Sequence, residues 1–292
     1  MVGVGGSGCS TVENIQSSGC IGCGYIAMNT DALNLLNSKV SSKLLLGRNT
    51  TGGQSTGNSI LLGEKAAREE YDRIKSLMSG ADIVFITAGI GGGTGAGATP
   101  VVAEAAKSIG CVVVALVNLP FSVEGKVCAS NSYSALEDLQ SFCDMIVVID
   151  NDKLVTVTQG SSIRDSFSAV NSLVLDAVRN LINVSVRNEV ASRSLFTGMA
   201  LIGSGEGGSA REAVESALMS PMFFRDITTA SGVLLSFTAE SKEPFTEMSN
   251  ALDIVTSVAP KSSILWFSNI SESMPDDVVR VFALVSGLEF SI

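Results

Sequence analysis

Five of the seven residues in Gly91-Gly92-Gly93-Thr94-Gly95-Ala96-Gly97 are glycine. Glycine loses more conformational freedom on folding than any other residue, so the run is costly unless the backbone itself must approach something closely. It follows Asp82–Ala88, an apolar stretch of the kind buried on both faces of a parallel sheet. It precedes Pro100, which is tolerated at a helix start because the amide it lacks would be unpaired there. A turn of this type offers an anion its backbone N–H groups and the positive end of a helix, expected to begin near Thr99. The Thr94 hydroxyl can add a bond to a phosphate oxygen.

A second turn of the same kind follows the first apolar run, Met1–Val4. Gly3-Val4-Gly5-Gly6-Ser7-Gly8 matches G-x-G-x-x-G, and Asp31 lies at the end of the next strand, Tyr25–Met28. Alone, this is a dinucleotide-binding pattern with Asp31 on a ribose, or a turn that holds nothing. Two such turns on neighbouring strand ends make one site for a polyphosphate, and a dinucleotide site needs only one. The sequence has no G-x-x-x-x-G-K-[ST], which excludes the common P-loop class.

Elsewhere in the first half, apolar strands (Cys111–Val117, Met145–Ile149) alternate with helical stretches (Cys9–Ser18, Ala66–Leu77, Ser132–Phe142), the rhythm of a doubly wound sheet. Ile163–Val184 has Phe167, Val170, Leu173, Val174, Ala177, Val178 and Leu181 at helical spacings, one buried face of a long helix. Beyond it, strands near Met199–Ile202, Gly232–Phe237, Ile264–Phe267 and Val278–Val285, with helices Ala210–Met219 and Thr246–Val258, read as a smaller α/β domain.

The expected organisation is a Rossmann-like domain over 1–165, a connecting helix over 166–187 and an α/β domain over 188–292. Hydrophobic residues make up 46% of the chain and aromatics 5%, so the core is built from Val, Ile, Leu and Ala. The net charge of −10 and the lack of a basic block argue against nucleic acid or an anionic membrane as direct partners. An anionic nucleotide must then be held by local dipoles and a metal ion. No apolar run reaches the roughly 18 residues of a membrane span and nothing resembles a signal peptide, so the reading is a soluble cytoplasmic protein. Cys20 and Cys23 form a lone CxxC. Structural zinc needs four ligands, and the chain has no His.

At Gly91–Gly97 the sequence resembles the FtsZ/tubulin family of filament-forming GTPases. The resemblance extends to Val4–Ser10, Met28-Asn29-Thr30-Asp31-Ala32, Pro120–Gly125, Asn151-Asp152-Lys153-Leu154 and Gly205–Leu288. The FtsZ branch fits better than eukaryotic tubulin, because the chain is short. The resemblance implies that Gly5, Gly6, Ser7, Gly8 and Ser10 contact the α/β-phosphates, and that Gly91, Gly92, Gly93, Thr94 and Gly95 hold the β/γ-phosphates. It implies a γ-phosphate sensor at Thr56, Gly57 and Asn58, a nucleotide contact at Asp31 and a ribose contact at Glu124. Asn151 and Asn171 would read guanine and Phe167 would stack on it. From the residues alone, Phe167 reads as core and Asn171 as a partly exposed helix position. GTP/GDP is the implied cofactor, with Mg²⁺ held mainly by phosphates and water and no protein metal site. The implied partners are further copies of the chain, head to tail, and other FtsZ-like subunits.

Besides Ser10, which stands where the family usually has Asn, the sequence departs from the family in three places. Cys128 stands where a basic residue usually follows the ribose loop; it reads as a small, partly buried side chain or as a lost cation. Asn183-Val184-Ser185-Val186-Arg187-Asn188-Glu189-Val190 is shorter than the family's catalytic loop, which enters the next subunit's site. Ser185 or Val186 replaces its first carboxylate. Glu189 falls near the second, as the catalytic group or as a helix-start glutamate. The sequence stops seven residues after its last apolar run, before the family's linker and adaptor-binding peptide, which are either cut off here or absent from this member. Three functions stay open: a filament-forming GTPase acting in cell division, a nucleotide-binding filament or regulatory protein with little hydrolysis, and an NAD-type oxidoreductase.

Overall fold

The computed structural model describes residues 1–19, 22–157, 163–187, 195–240, 245–271, 274–275 and 277–289, with backbone alone at 157, 163–168, 185–187 and 245–246. The chain separates into two compact units, Met1–Asp152 and Lys153–Ser291.

The first unit contains β1 (Val2–Val4), α1 (Gly5–Ser17), β2 (Ile26–Asn29), α2 (Ala32–Asn37), β3 (Ser42–Leu45), α3 (Arg48–Thr51), α4 (Ile60–Glu69) and α5 (Tyr71–Met78). It continues with β4 (Ile83–Gly89), α6 (Gly93–Ser108), β5 (Val112–Leu119), α7 (Lys126–Gln140) and β6 (Met145–Asp150), and α8 (Asn151–Val157) begins at its end. The strands run in the order β3-β2-β1-β4-β5-β6, and every pairing is parallel. Val113–Val117 and Met145–Ile149 are buried throughout. Helices cover both faces of such a sheet, so the strands need continuous β-branched and aliphatic residues, each worth about 1.5–3 kcal/mol when buried. The strand order reverses at β1 and β4, the switch point at which open α/β sheets hold ligands.

Two glycine-rich segments differ from the sequence expectation. α1 starts at Gly5 rather than Cys9, and α6 starts at Gly93, with Pro100 inside the helix. Gly5, Gly6, Gly8, Gly93, Gly95 and Gly97 therefore form the first helical turns, and only Gly91 and Gly92 lie in a turn ahead of α6. Sequence reasoning places Pro100 at a helix start because proline breaks helix interiors. Here small residues precede it, and the Thr99 hydroxyl donates to Gly95 O at 2.5 Å. The expected single helix over Ala66–Leu77 is two helices, α4 and α5, separated at Glu70.

In the second unit α9 (Ile163–Arg187) buries Val170, Val174, Ala177, Val178 and Leu181, the face its spacing requires. Strands β7 (Gly198–Gly207), β8 (Gly232–Ala239), β9 (Ser263–Ile270) and β10 (Val279–Leu288) follow, with α10 (Ala210–Leu218) and α11 (Phe245–Val258) between them. Their order is β7-β10-β8-β9. β10 is antiparallel to β7 and β8, and β8 is parallel to β9. α10 sits on β7 at Gly205 and Gly207, where any Cβ would strike the helix backbone around Ala213.

Candidate functional site

β1 and β4 are neighbours; β1 runs directly into α1 and β4 reaches α6 through Ile90-Gly91-Gly92, and neither helix N-terminus carries a side-chain cap. The first-turn amides of a helix have no intrahelical partner, so two sets of N–H groups and two positive dipole ends open at one edge of the sheet. The two turns are in contact. A methyl at Gly5, whose φ is +72°, would lie 3.2 Å from Gly95 N and 3.7 Å from Thr94 Cβ. Gly6, Ser7, Ser10 and Gly92 are exposed at this edge. Gly8 is buried with no room for a side chain, since a Cβ there would overlap the Thr87 carbonyl.

The glycines of the second run serve two purposes. A Cβ at Gly92 meets nothing within 4 Å. At Gly93 it would lie 2.6 Å from Ser59 N, at Gly95 against the Gly89 carbonyl, and at Gly97 against the Ile60 carbonyl and 2.7 Å from Glu64 N. At Gly91 it would lie 2.8 Å from Pro120 Cβ and 3.3 Å from Cys128 Cβ. Most of the run is glycine so that α6 can touch α4, β4 and the 120–125 loop, and Gly92 alone faces open space.

Thr94 is buried, and its hydroxyl lies 2.8 Å from the Thr30 hydroxyl and 2.9 Å from that of Thr56. The three hydroxyls join the end of β2, the turn before α4 and the first turn of α6. Gly93 N donates to Gly57 O at 2.9 Å, so this amide is already engaged, while Gly57 and Asn58 themselves are exposed. Asn131, on α7, donates through Nδ2 to Asn58 O at 3.0 Å and Gly91 O at 2.9 Å. Cys9, beneath the α1 turn, is buried, and burial pushes its thiol up to about 12, which makes it an inert core group.

Asp31 is the N-cap of α2, its carboxylate accepting from Asn34 N at 3.0 Å. Glu124 is exposed and accepts from Phe121 N at 2.8 Å through one oxygen. Asp152 fastens the same loop by accepting from Ser122 N at 3.1 and 3.2 Å and from the Ser122 hydroxyl. Asn151 opens α8. It is 6% exposed, and its Oδ1 has no hydrogen-bond partner among the described residues. A buried amide oxygen without a partner costs about 1–3 kcal/mol, which a ligand donor would recover. Asn118, at the C-terminal end of β5, has the same property. Sequence reasoning missed Asn118, Thr30 and Asn131. Asn118 had a signal, a lone amide closing the apolar run Val112–Val117.

Asn171 is half-buried on α9 in the second unit. Phe167 falls in the first turns of α9, and its side chain lies outside the described residues. Glu189 lies outside them altogether, as does Cys20. Cys128 is 6% exposed, more enclosed than its sequence suggested. No helix among the described residues is long and apolar enough to cross a membrane.

A parallel sheet in 3-2-1-4-5-6 order, with paired open helix N-termini at its switch point, defines a Rossmann-type phosphate-binding domain, here followed by a mixed α/β unit. Residues 1–159 match the GTPase domain of the Tubulin/FtsZ family and residues 198–289 match the FtsZ family C-terminal domain. The chain belongs to the Tubulin/FtsZ family. It is 38% identical to cell division protein FtsZ 1 of Thermococcus kodakarensis over 300 residues, covering 99% of this chain and 80% of that one. It superposes on an empty FtsZ dimer from Methanocaldococcus jannaschii with a TM-score of 0.89 at 35% identity, covering 98% of this chain and 87% of that one. Haloferax volcanii CetZ2, solved as a GTPγS-bound protofilament, shares the fold at a TM-score of 0.85 and 22% identity, over 99% of this chain and 93% of that one. These matches leave the oxidoreductase reading without support.

Proposed function

We propose that the chain binds GTP at the edge formed by the α1 and α6 N-termini and assembles head to tail into filaments, with hydrolysis completed by the next subunit and cell division as its cytoplasmic setting. The observation that carries this reading is the meeting of two uncapped helix starts at Gly5 and Gly95, 3.2 Å apart across an added Cβ. One such turn suits a single phosphate group, and two facing turns suit a chain of them. Gly5, Gly6, Ser7, Gly8 and Ser10 are proposed on the α/β side, with Gly91, Gly92, Thr94 and Gly95 on the β/γ side.

Gly93 belongs to that second set through its position, although its own N–H is held by Gly57 O. If Thr30 and Thr56 both donate to Thr94, the Thr94 proton is left for an anionic oxygen. Thr56, Gly57 and Asn58 are proposed as the third-phosphate contact, and Glu124 as the ribose contact through its second oxygen. Asn151, Asn171 and Phe167 are proposed on the base, and Asp31 acts by holding α2. Mg²⁺ would neutralise phosphate charge, bound by the phosphates and water. Glu189 is proposed as the group offered to a neighbour's site. The division into 1–165, 166–187 and 188–292 is kept as the functional one.

A second reading, tight GTP binding with little turnover, is favoured by Ser185 and Val186 standing where the family has its first catalytic carboxylate. Sedimentation with GTP, GDP and a non-hydrolysable analogue, with phosphate assayed in parallel, separates the two. The first reading expects GTP-dependent pelleting, and phosphate release that rises steeply with protein concentration and falls in Glu189→Ala. The second expects pelleting with negligible release. Nicotinamide binding without guanine preference would remove both.

A further inference from the structure

Between α3 and α4 the chain runs Gly52-Gly53-Gln54-Ser55-Thr56-Gly57-Asn58-Ser59 without regular structure, and its three glycines have φ of 63°, 80° and 55°. Such a segment has few internal restraints. Three anchors hold its end to the rest of the unit. Thr56 shares a hydrogen bond with Thr94, Gly57 O accepts from Gly93 N, and Asn58 O accepts from Asn131 Nδ2. Asn131 is the anchor that does not belong to α6. It is 7% exposed, and its amide nitrogen spends both protons, one on Asn58 O and one on Gly91 O. It thus ties the turn before α4 directly to the turn before α6, from a third element.

We propose that Asn131 is a positioning residue that clamps the 57–58 turn in place before any nucleotide arrives, and so sets how strongly the protein prefers a nucleoside triphosphate over a diphosphate. This rests on the proposed nucleotide site, in which the 56–58 turn meets only the third phosphate. The geometry supplies the cause. A turn already ordered by side-chain bonds does not have to be ordered by the ligand, and that saving appears as affinity. A diphosphate does not reach the 57–58 turn and gains only from the hold on Gly91 O. Each lost bond to a carbonyl is worth a few-fold to about tenfold, so removing both donors costs the triphosphate roughly tenfold.

The test measures dissociation constants of the full chain for GDP and for a non-hydrolysable GTP analogue, in wild type, Asn131→Ala and Asn131→Asp. The aspartate keeps the shape and has no donor when ionised. The expected result is about a tenfold loss for the triphosphate analogue, with GDP losing no more than about threefold through Gly91. An unchanged ratio in a variant that melts like wild type overturns the proposal, as does an equal loss for both nucleotides. Amide hydrogen exchange of residues 57–59 in the nucleotide-free protein, compared between wild type and Asn131→Ala, tests the clamp without nucleotide. Faster exchange in the variant supports the clamp and equal exchange overturns it. If wild type binds neither nucleotide, the nucleotide site itself fails, and the exchange measurement still judges the clamp.

Discussion

Replacing Gly97 with alanine places a methyl group against the backbone of α4. The added Cβ overlaps the Ile60 carbonyl and lies 2.7 Å from Glu64 N, and neither is a side chain that can rotate away. Overpacking of a close-packed interface costs about 1–3 kcal/mol, and contact with backbone belongs at the upper end. Alanine returns about 1 kcal/mol through its better helix propensity. The net cost is about 2 kcal/mol, which lowers the melting temperature by about 4–8 °C in a domain of this size. Gly92→Ala is the matched control. Its backbone, φ −86° and ψ 159°, suits any residue, and its Cβ meets nothing within 4 Å, so melting moves by less than about 2 °C. Nucleotide affinity reverses the order, because the Gly92 methyl stands at the open edge while Gly97 lies one turn inside. Thermal denaturation without nucleotide and equilibrium binding well below the melting range give both readouts. If Gly97→Ala melts like wild type, or if Gly92→Ala melts lower than Gly97→Ala, the division of the glycine run into packing and ligand-facing positions is wrong.

Thr94→Val strands two buried hydroxyls, Thr30 and Thr56, and is expected to cost about 1–3 kcal/mol in urea unfolding, while Thr94→Ser restores most of it. Equal stability of the two variants would remove the hydroxyl cluster as a stabilising element. Burial holds the Asp176 carboxyl above its ordinary range, outweighing the opposing pull of Arg179 and Arg280. A raised folded-state pKa means stability that is present at acid pH and lost as pH rises through that value. Asp176→Asn therefore stabilises at pH 7, and the gain shrinks as pH falls through the raised value and is gone below about 4, the ordinary aspartate value. A gain independent of pH refutes the assignment.

Periodicity made the long elements legible. α9 shows its buried face at every third and fourth residue, and the parallel strands show as uninterrupted Val, Ile and Leu. β3 was not legible, because Ser42–Leu45 is an edge strand with only Leu44 buried and carries no pattern. The start of α6 was hidden by Pro100, whose cost sits inside a helix that tolerates it. Among the proposed site residues, Gly5–Gly8 and Gly91–Gly95 stood out in the sequence because clustered glycines at a strand end cost entropy that only a close backbone approach offsets. Asn151 was placed by resemblance, and its unpartnered buried oxygen is an independent physical reason that no sequence displays. Asn131 was invisible: its value comes from two carbonyls contributed by turns 40 and 73 residues away in the chain.

Gly63 lies against the Gly93 carbonyl, Gly97 against Ile60, and Gly93 against Ser59, so α4 and α6 meet backbone to backbone. Side chains at an interface act as cushions, because a change of rotamer absorbs a small shift; at these three glycines there is none. A displacement of the first turn of α6 would press on backbone at the start of α4, where Leu61 is 78% exposed to solvent. The edge where phosphates are proposed to sit and an apolar spot on the outer surface therefore ride on a single lever.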